Sequence, residues 1–172
     1  DGLPECYSCS GSGTSVSCEL AMEFYACTGY RLPTEAEWEG AARCENDTLY
    51  AGSDTVDDVA RYNNNAGHAP VWVSRYDSND CGLYDMSGLV YEWAHDWYGS
   101  SYYTSSGRTD PLGESTGAYR VYRGGGYLSN ANTQRIANRV TGEPTVNWPD
   151  LGIRLARTVD ADYDGDGYLL SE

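Results

Sequence analysis

Gly82-Leu83-Tyr84-Asp85-Met86-Ser87-Gly88-Leu89-Val90-Tyr91-Glu92-Trp93 leaves a glycine-bounded turn and enters the clearest alternating run in the chain. From Val90 to Tyr98 the residues divide by parity. Tyr91, Trp93, His95 and Trp97 fall on one side of a strand, and Val90, Glu92, Ala94 and Asp96 on the other. One face is therefore aromatic and the other acidic. Further strands are predicted at Arg120–Arg123, Gln134–Arg139 and Leu151–Arg157, each bounded by Gly, Asn or Pro. Between Leu49 and Asn79 only Pro70-Val71-Trp72-Val73 looks strand-like, and the rest reads as loop.

Upstream, Arg31-Leu32-Pro33-Thr34-Glu35-Ala36-Glu37-Trp38 holds a helix start. Thr34 accepts from the Glu37 amide while the Glu37 carboxylate returns to the Thr34 amide, which satisfies two end groups at once. Trp38, Ala41 and Ala42 share the face that docks on the core, and the helix ends by Cys44. It is the one good helix that the pattern predicts.

The 172 residues and 18.9 kDa suit one domain with a sizeable core. Eleven basic against 26 acidic residues leave a net charge of −15, which disfavours nucleic acid and anionic membrane as partners. All eleven cations are arginine, so buried or half-buried Arg–Asp pairs are expected. Five Trp and 16 Tyr replace the usual aliphatic core with rings that carry polar tips. No apolar run is long enough for a membrane span, and Asp1-Gly2-Leu3-Pro4 is no signal peptide, so the chain reads as mature or cut from something longer.

Six cysteines point to disulfides in an oxidising compartment, hence a secreted or cell-surface protein. Cys6, Cys9, Cys18 and Cys27 surround a Gly/Ser run and are expected to pair among themselves, with Cys44 joined to Cys81. Zinc is the lesser alternative, since only Cys6 and Cys9 are close in sequence. Asn46-Asp47-Thr48 is a glycosylation-type acceptor.

Four stretches in order, residues 29–39 (Gly-Tyr-Arg-Leu-Pro-Thr-Glu-Ala-Glu-Trp-Glu), 82–93, Arg123-Gly124-Gly125-Gly126-Tyr127 and Gly152-Ile153-Arg154, resemble the formylglycine-generating enzyme (sulfatase-modifying factor) family. The resemblance implies an α+β, irregular fold of C-type-lectin-like form, poor in regular secondary structure and often calcium-bound. It divides the chain into a Cys/Gly/Ser-rich crosslinked segment at 1–28, the family domain at 29–158 and an acidic tail at 159–172. It also implies a further N-terminal portion, so the chain reads as an incomplete domain completed by other residues or by another subunit. In the second case copies fill one another's strand edges, giving a filament or surface layer.

Two signals bear on chemistry. The oxidase members of the family hold copper(I) on two cysteines just after a Gly-Gly-Ser segment, because soft thiolates suit that ion. Here residues 128–135 carry no sulfur, and the family serine is Gly126. Calcium-binding members use ligands that map onto Asp85, Gly88, Val90 and Glu92, a set of hard oxygens. The alternative is that Asp85 caps the turn and Glu92 pairs with an arginine. From its own spacing, the tail places Asp162, Asp164, Asp166 and Tyr168 at alternate positions of an EF-hand-type loop, a second calcium candidate. The competing reading is a solvated acidic tail.

The expected function is a non-catalytic, calcium-stabilised structural or binding module, with protein, glycan or further copies of itself as partners. Tyr127, Ser129, Asn130, Asn132, Gln134 and Asn138 are the candidate ligand-binding residues, small and polar enough for adaptable hydrogen bonding. Tyr98, Tyr102 and Tyr103 offer faces for stacking on sugars. The alternative is a metal-dependent enzyme of the family, using copper or iron with ligands outside this chain. An iron site built within it needs both His68 and His95 plus a carboxylate such as Asp96. A third reading is an adaptor that binds sulfatase-like substrates unmodified.

Overall fold

The structure is a computed structural model, and it describes residues 2–13, 15–104 and 109–159. Among them two compact units are present, one of residues 2–32 with 155–159 and one of Pro33–Arg154.

In the first unit β1 (Tyr7–Ser10) and β2 (Ser17–Leu20) form an antiparallel two-stranded sheet with Cys9 opposite Cys18. A disulfide joins that pair, and a second, Cys6–Cys27, encloses the hairpin. Phe24 is buried, with the Arg31 guanidinium 4.3 Å from its ring centre. Arg31 also bridges to Ala156 through paired backbone hydrogen bonds of 2.9 and 2.8 Å.

The second unit holds α1 (Glu35–Arg43), short helices α2 (Val56–Val59) and α3 (Asn63–Ala66), and a sheet of β3 (Tyr91–Trp97), β4 (Arg120–Arg123), β5 (Val140–Gly142) and β6 (Leu151–Ile153). The spatial order is β5-β4-β3-β6, with only the β3–β6 pair parallel. The capping box forms as the sequence predicts: Glu37 N donates to Thr34 Oγ1 at 3.1 Å, and Thr34 N to Glu37 Oε2 at 2.8 Å. Cys44 takes the left-handed cap position and is tied to Cys81. Trp38, Ala42, Ala51, Met86 and Ile136 make the apolar cluster beneath the helix.

The acidic face of β3 is the face that meets α1. Glu92 accepts the Trp38 indole N–H at 2.7 Å, and Asp96 accepts the Glu35 amide at 2.6 Å. On the other face Tyr122 meets Tyr91, Trp93 and Trp148 edge-on, at 5.1, 5.2 and 5.6 Å between ring centres. Such pairs add attraction beyond area burial. The result is the mixed, sparsely regular α+β fold that the family resemblance implies.

Four expectations are corrected. Residues 134–139 are no strand: Ala131–Gln134 is a 3₁₀ turn and pairing starts only at Val140, because Gln134 turns inward to bind loop carbonyls. Pro70–Val73 pairs with nothing and leaves Trp72 at 76% exposure. The last strand stops at Ile153, with Ala156 joined only by its bridge to Arg31. The arginines pair with glutamate, not aspartate, in the buried network: Arg123 with Glu35 and Glu39, Arg139 with Glu35, and Arg154 with Glu92. The longer side chain spans the gap between helix and sheet.

Candidate functional site

Three surroundings hold the residues singled out above. The first is the loop after β4. Gly124 and Gly125 have φ of +90° and +80°, which glycine adopts freely, and they turn the chain over α1. Gln134 then fills the inside of the loop. It is fully buried, and its amide nitrogen lies 3.2 and 3.1 Å from the carbonyl oxygens of Gly126 and Asn130. Tyr127 is likewise buried, its amide donating to Leu89 O at 2.9 Å. Asn138 accepts from Arg123 through its backbone oxygen. These three hold the loop's shape.

Asn130 and Asn132 face solvent, and Ser129 Oγ lies 3.0 Å from the Tyr91 hydroxyl. Asn63 N donates to Ser129 O at 3.0 Å, so exposed Asn63 and Asn64 of α3 join this amide-rich surface. Sequence reasoning passed over that asparagine run because it lies some 65 residues away in a segment read as loop. The tyrosines offered for sugar stacking are occupied otherwise: Arg139 sits 5.1 Å from the ring centres of both Tyr98 and Tyr103, and Tyr102 packs edge-on against Tyr103.

The second is a cavity of about 410 Å³ lined by Asp85, Val90, Glu92 and Arg154, among others. Asp85 holds φ at +59° and accepts the Ser74 amide at 2.7 Å. Arg154 binds both Glu92 oxygens at 2.8 Å, and the Trp38 indole takes a further position on Oε2. A carboxylate has about four lone-pair sites, so Glu92 keeps one, on Oε1, and Asp85 keeps more. The oxygens of Asp85 and Glu92 thus fit a hard cation in kind, with Arg154 as its rival for Glu92. Gly88 is buried and does not line the cavity. Among the described residues no group of three His, Cys, Asp or Glu is gathered for a metal, and His68, His95 and Asp96 form no such group. The loop of Asp162, Asp164, Asp166 and Tyr168 lies outside the described residues.

The third is a buried charge network at the start of α1. Glu35 receives Arg139 at 2.6 and 2.7 Å and Arg123 at 3.1 Å. Among the described residues no ion pair joins Asp96 to an arginine. Burial pushes its carboxyl up to about 6 from an ordinary 3.8, and the Glu35 charge adds to this, while hydrogen bonds from the Glu35 amide and Tyr103 oppose it. The folded state therefore keeps a proton that the unfolded chain releases, so the contribution of Asp96 to stability is greatest below about pH 4 and falls as pH rises toward 6. At neutral pH the cost is about 2–3 kcal/mol. Asp96→Asn keeps an acceptor for the helix amide and is expected to flatten this slope. Urea midpoints measured from pH 4 to 7 check it, and parallel wild-type and variant curves refute it.

All six cysteines are disulfide-bonded, so the chain presents no thiolate. Among the described residues no helix is long and apolar enough to cross a membrane.

Comparison with known proteins adds a family profile, described as a sulfatase-modifying factor enzyme 1-like domain, that matches residues 12–159. The formylglycine-generating enzyme of Streptomyces coelicolor is 38% identical over 165 residues, covering 84% of this chain and 52% of the relative. A protein of Chlamydia caviae named serine/threonine-protein kinase pkn1 is 37% identical over 150 residues, 81% of this chain but 24% of its own length. Among solved structures, Treponema denticola variable protein 1 superposes with a TM-score of 0.76 at 37% identity, covering 82% of this chain and 51% of that one. The chain thus spans about half the length of the first and third of these and about a quarter of the second.

Proposed function

Because the chain belongs to the sulfatase-modifying factor enzyme 1-like domain family, we propose that it is a binding module on that scaffold, calcium-stabilised and without copper oxidase chemistry. The observation that carries this reading is the state of its sulfur. Residues 128–135 contain no cysteine, and all six elsewhere are locked in disulfides. The copper(I) site of the oxidase pattern is a pair of soft thiolates, and the chain has no free thiol to supply one.

What replaces the thiol site is a rigid, amide-rich surface. Asn130 and Asn132 project from a loop held by Gln134 and the Tyr91–Ser129 contact, and Asn63 and Asn64 from α3, which is joined to that loop by the Asn63 amide. Asn and Ser on a fixed frame supply adaptable hydrogen bonding to a protein or glycan ligand. The disulfides suit an oxidising, extracellular setting. The stretch similar to pkn1 within a far longer protein supports a domain that is used in different wholes. Assembly into filaments through open strand edges is a variant of the same reading.

Calcium would be held by Asp85 and Glu92 with the carbonyl of Val90, joining the turn after Gly82 to the start of β3. It would supply structural crosslinking, not reaction chemistry. Metal analysis of the purified protein is expected to find calcium and neither copper nor iron. Saturating calcium is expected to raise Tm by roughly 5–10 °C over chelated protein, with the gain reduced in Asp85→Ala. Conversion of a thiol peptide to an aldehyde, or stoichiometric copper, overturns the proposal.

A further inference from the structure

The three disulfides differ in their surroundings. Cys6 and Cys27 are 3% and 1% exposed, and Gly29 packs against the Cys6 sulfur so closely that an added Cβ would lie 3.2 Å from it. Cys44 is half-buried at the end of α1, and its partner Cys81 is exposed, so that bridge offers one open sulfur-bearing residue. Cys9 and Cys18 are both exposed, on a sheet of only two strands in which every strand residue except Tyr7 is exposed. A lone hairpin without a covered face is marginal in water, so the Cys9–Cys18 crosslink and not burial holds its register. The bridges are also nested: Cys6–Cys27 closes a loop that contains Cys9–Cys18.

We propose that Cys9–Cys18 is a thiol-exchange site, opened selectively and reversibly by an external dithiol, and that its redox state sets the order of the hairpin. Access governs such reactions, because the attacking thiolate must approach one sulfur in line with the S–S bond. That thiolate forms a mixed disulfide with one cysteine and expels the other as thiolate, which takes up a proton. The second thiol of the reagent then displaces the remaining cysteine. Two electrons pass from the dithiol, which leaves as its disulfide, and Cys9 and Cys18 end as thiols. The buried outer bridge still closes the loop, so the freed thiols stay near each other and re-oxidation restores the register.

The test treats the folded chain with dithiothreitol without denaturant, quenches with iodoacetamide at intervals, and maps alkylation by mass spectrometry while tryptophan emission is followed. Cys9 and Cys18 are expected to be alkylated at least about tenfold faster than the other four, before any change in emission. Alkylation first at Cys44 and Cys81 or at Cys6 and Cys27, or at all six in step with emission loss, overturns the proposal. In the double variant Cys9→Ser with Cys18→Ser, cleavage between residues 11 and 16 by a broad-specificity protease is expected to rise roughly tenfold, since opening governs cleavage. Wild-type resistance in that variant would mean that the crosslink does not hold the hairpin, and the proposal would fall.

Discussion

Arg123→Met is expected to remove about 3–5 kcal/mol of stability, a large part of the roughly 5–15 kcal/mol that holds a domain folded. The Arg123 side chain is fully enclosed at the end of β4. Its NH1 lies 3.1 Å from Glu35 Oε1 and 3.0 Å from Asn138 O, and its NH2 reaches Ile136 O at 2.8 Å as well as the Glu39 carboxylate. Methionine matches much of the volume and none of the hydrogen bonds. It would leave Glu35 on Arg139 alone and strand two loop carbonyls, and an orphaned buried charge costs more than an intact pair contributes. The contrast is Arg43, part-exposed and paired with Glu39 on the same helix and with Asp47 beyond its end, where Arg43→Ala is expected to cost under about 0.5 kcal/mol. Urea unfolding of both variants decides. A loss below about 1 kcal/mol for Arg123→Met would mean that the network is no keystone of the fold.

The second large effect concerns Gly126→Ser, which reinstates the residue found at this place in the oxidase pattern. An added Cβ at Gly126 would lie 2.2 Å from Asp150 Oδ2 and 2.7 Å from its Cγ. Asp150 is itself buried, and its backbone oxygen holds the Tyr91 amide at 2.7 Å, so it has little room to withdraw. A loss of about 1–3 kcal/mol or more is expected from the overlap. Asp150→Ala in the same chain is expected to recover over half of it, as contacting positions couple. Additive losses in the double variant would show that the clash is not with Asp150. The serine is therefore not merely absent: the carboxylate of Asp150 stands in its space.

How far the sequence discloses the fold depends on whether a feature is local. The cap at Thr34, the strand from Tyr91 and the strand Arg120–Arg123 are written in neighbouring residues, and they appear where the pattern puts them. Gln134–Arg139 misled because a short run between turn residues reads as a strand, whereas one buried amide bonded to its own loop decides the backbone there. The Arg–Glu partners were hidden for a related reason. Charge counts show that arginines need acids, but whether Asp or Glu meets them depends on the span between α1 and the sheet. In the site, Asp85 and Glu92 share a cavity, yet no local signal reveals that Arg154, about 60 residues on, already grips Glu92. The Asn63–Asn65 run likewise enters the surface only through its contact with Ser129.

One hydrogen bond has spectroscopic reach. The indole that donates to Glu92 belongs to Trp38, the most enclosed of the five tryptophans, at 1% exposure. Its fluorescence, shielded from aqueous quenchers, therefore senses whatever charge comes to Glu92, and the protein carries its own optical gauge for occupancy of that cavity.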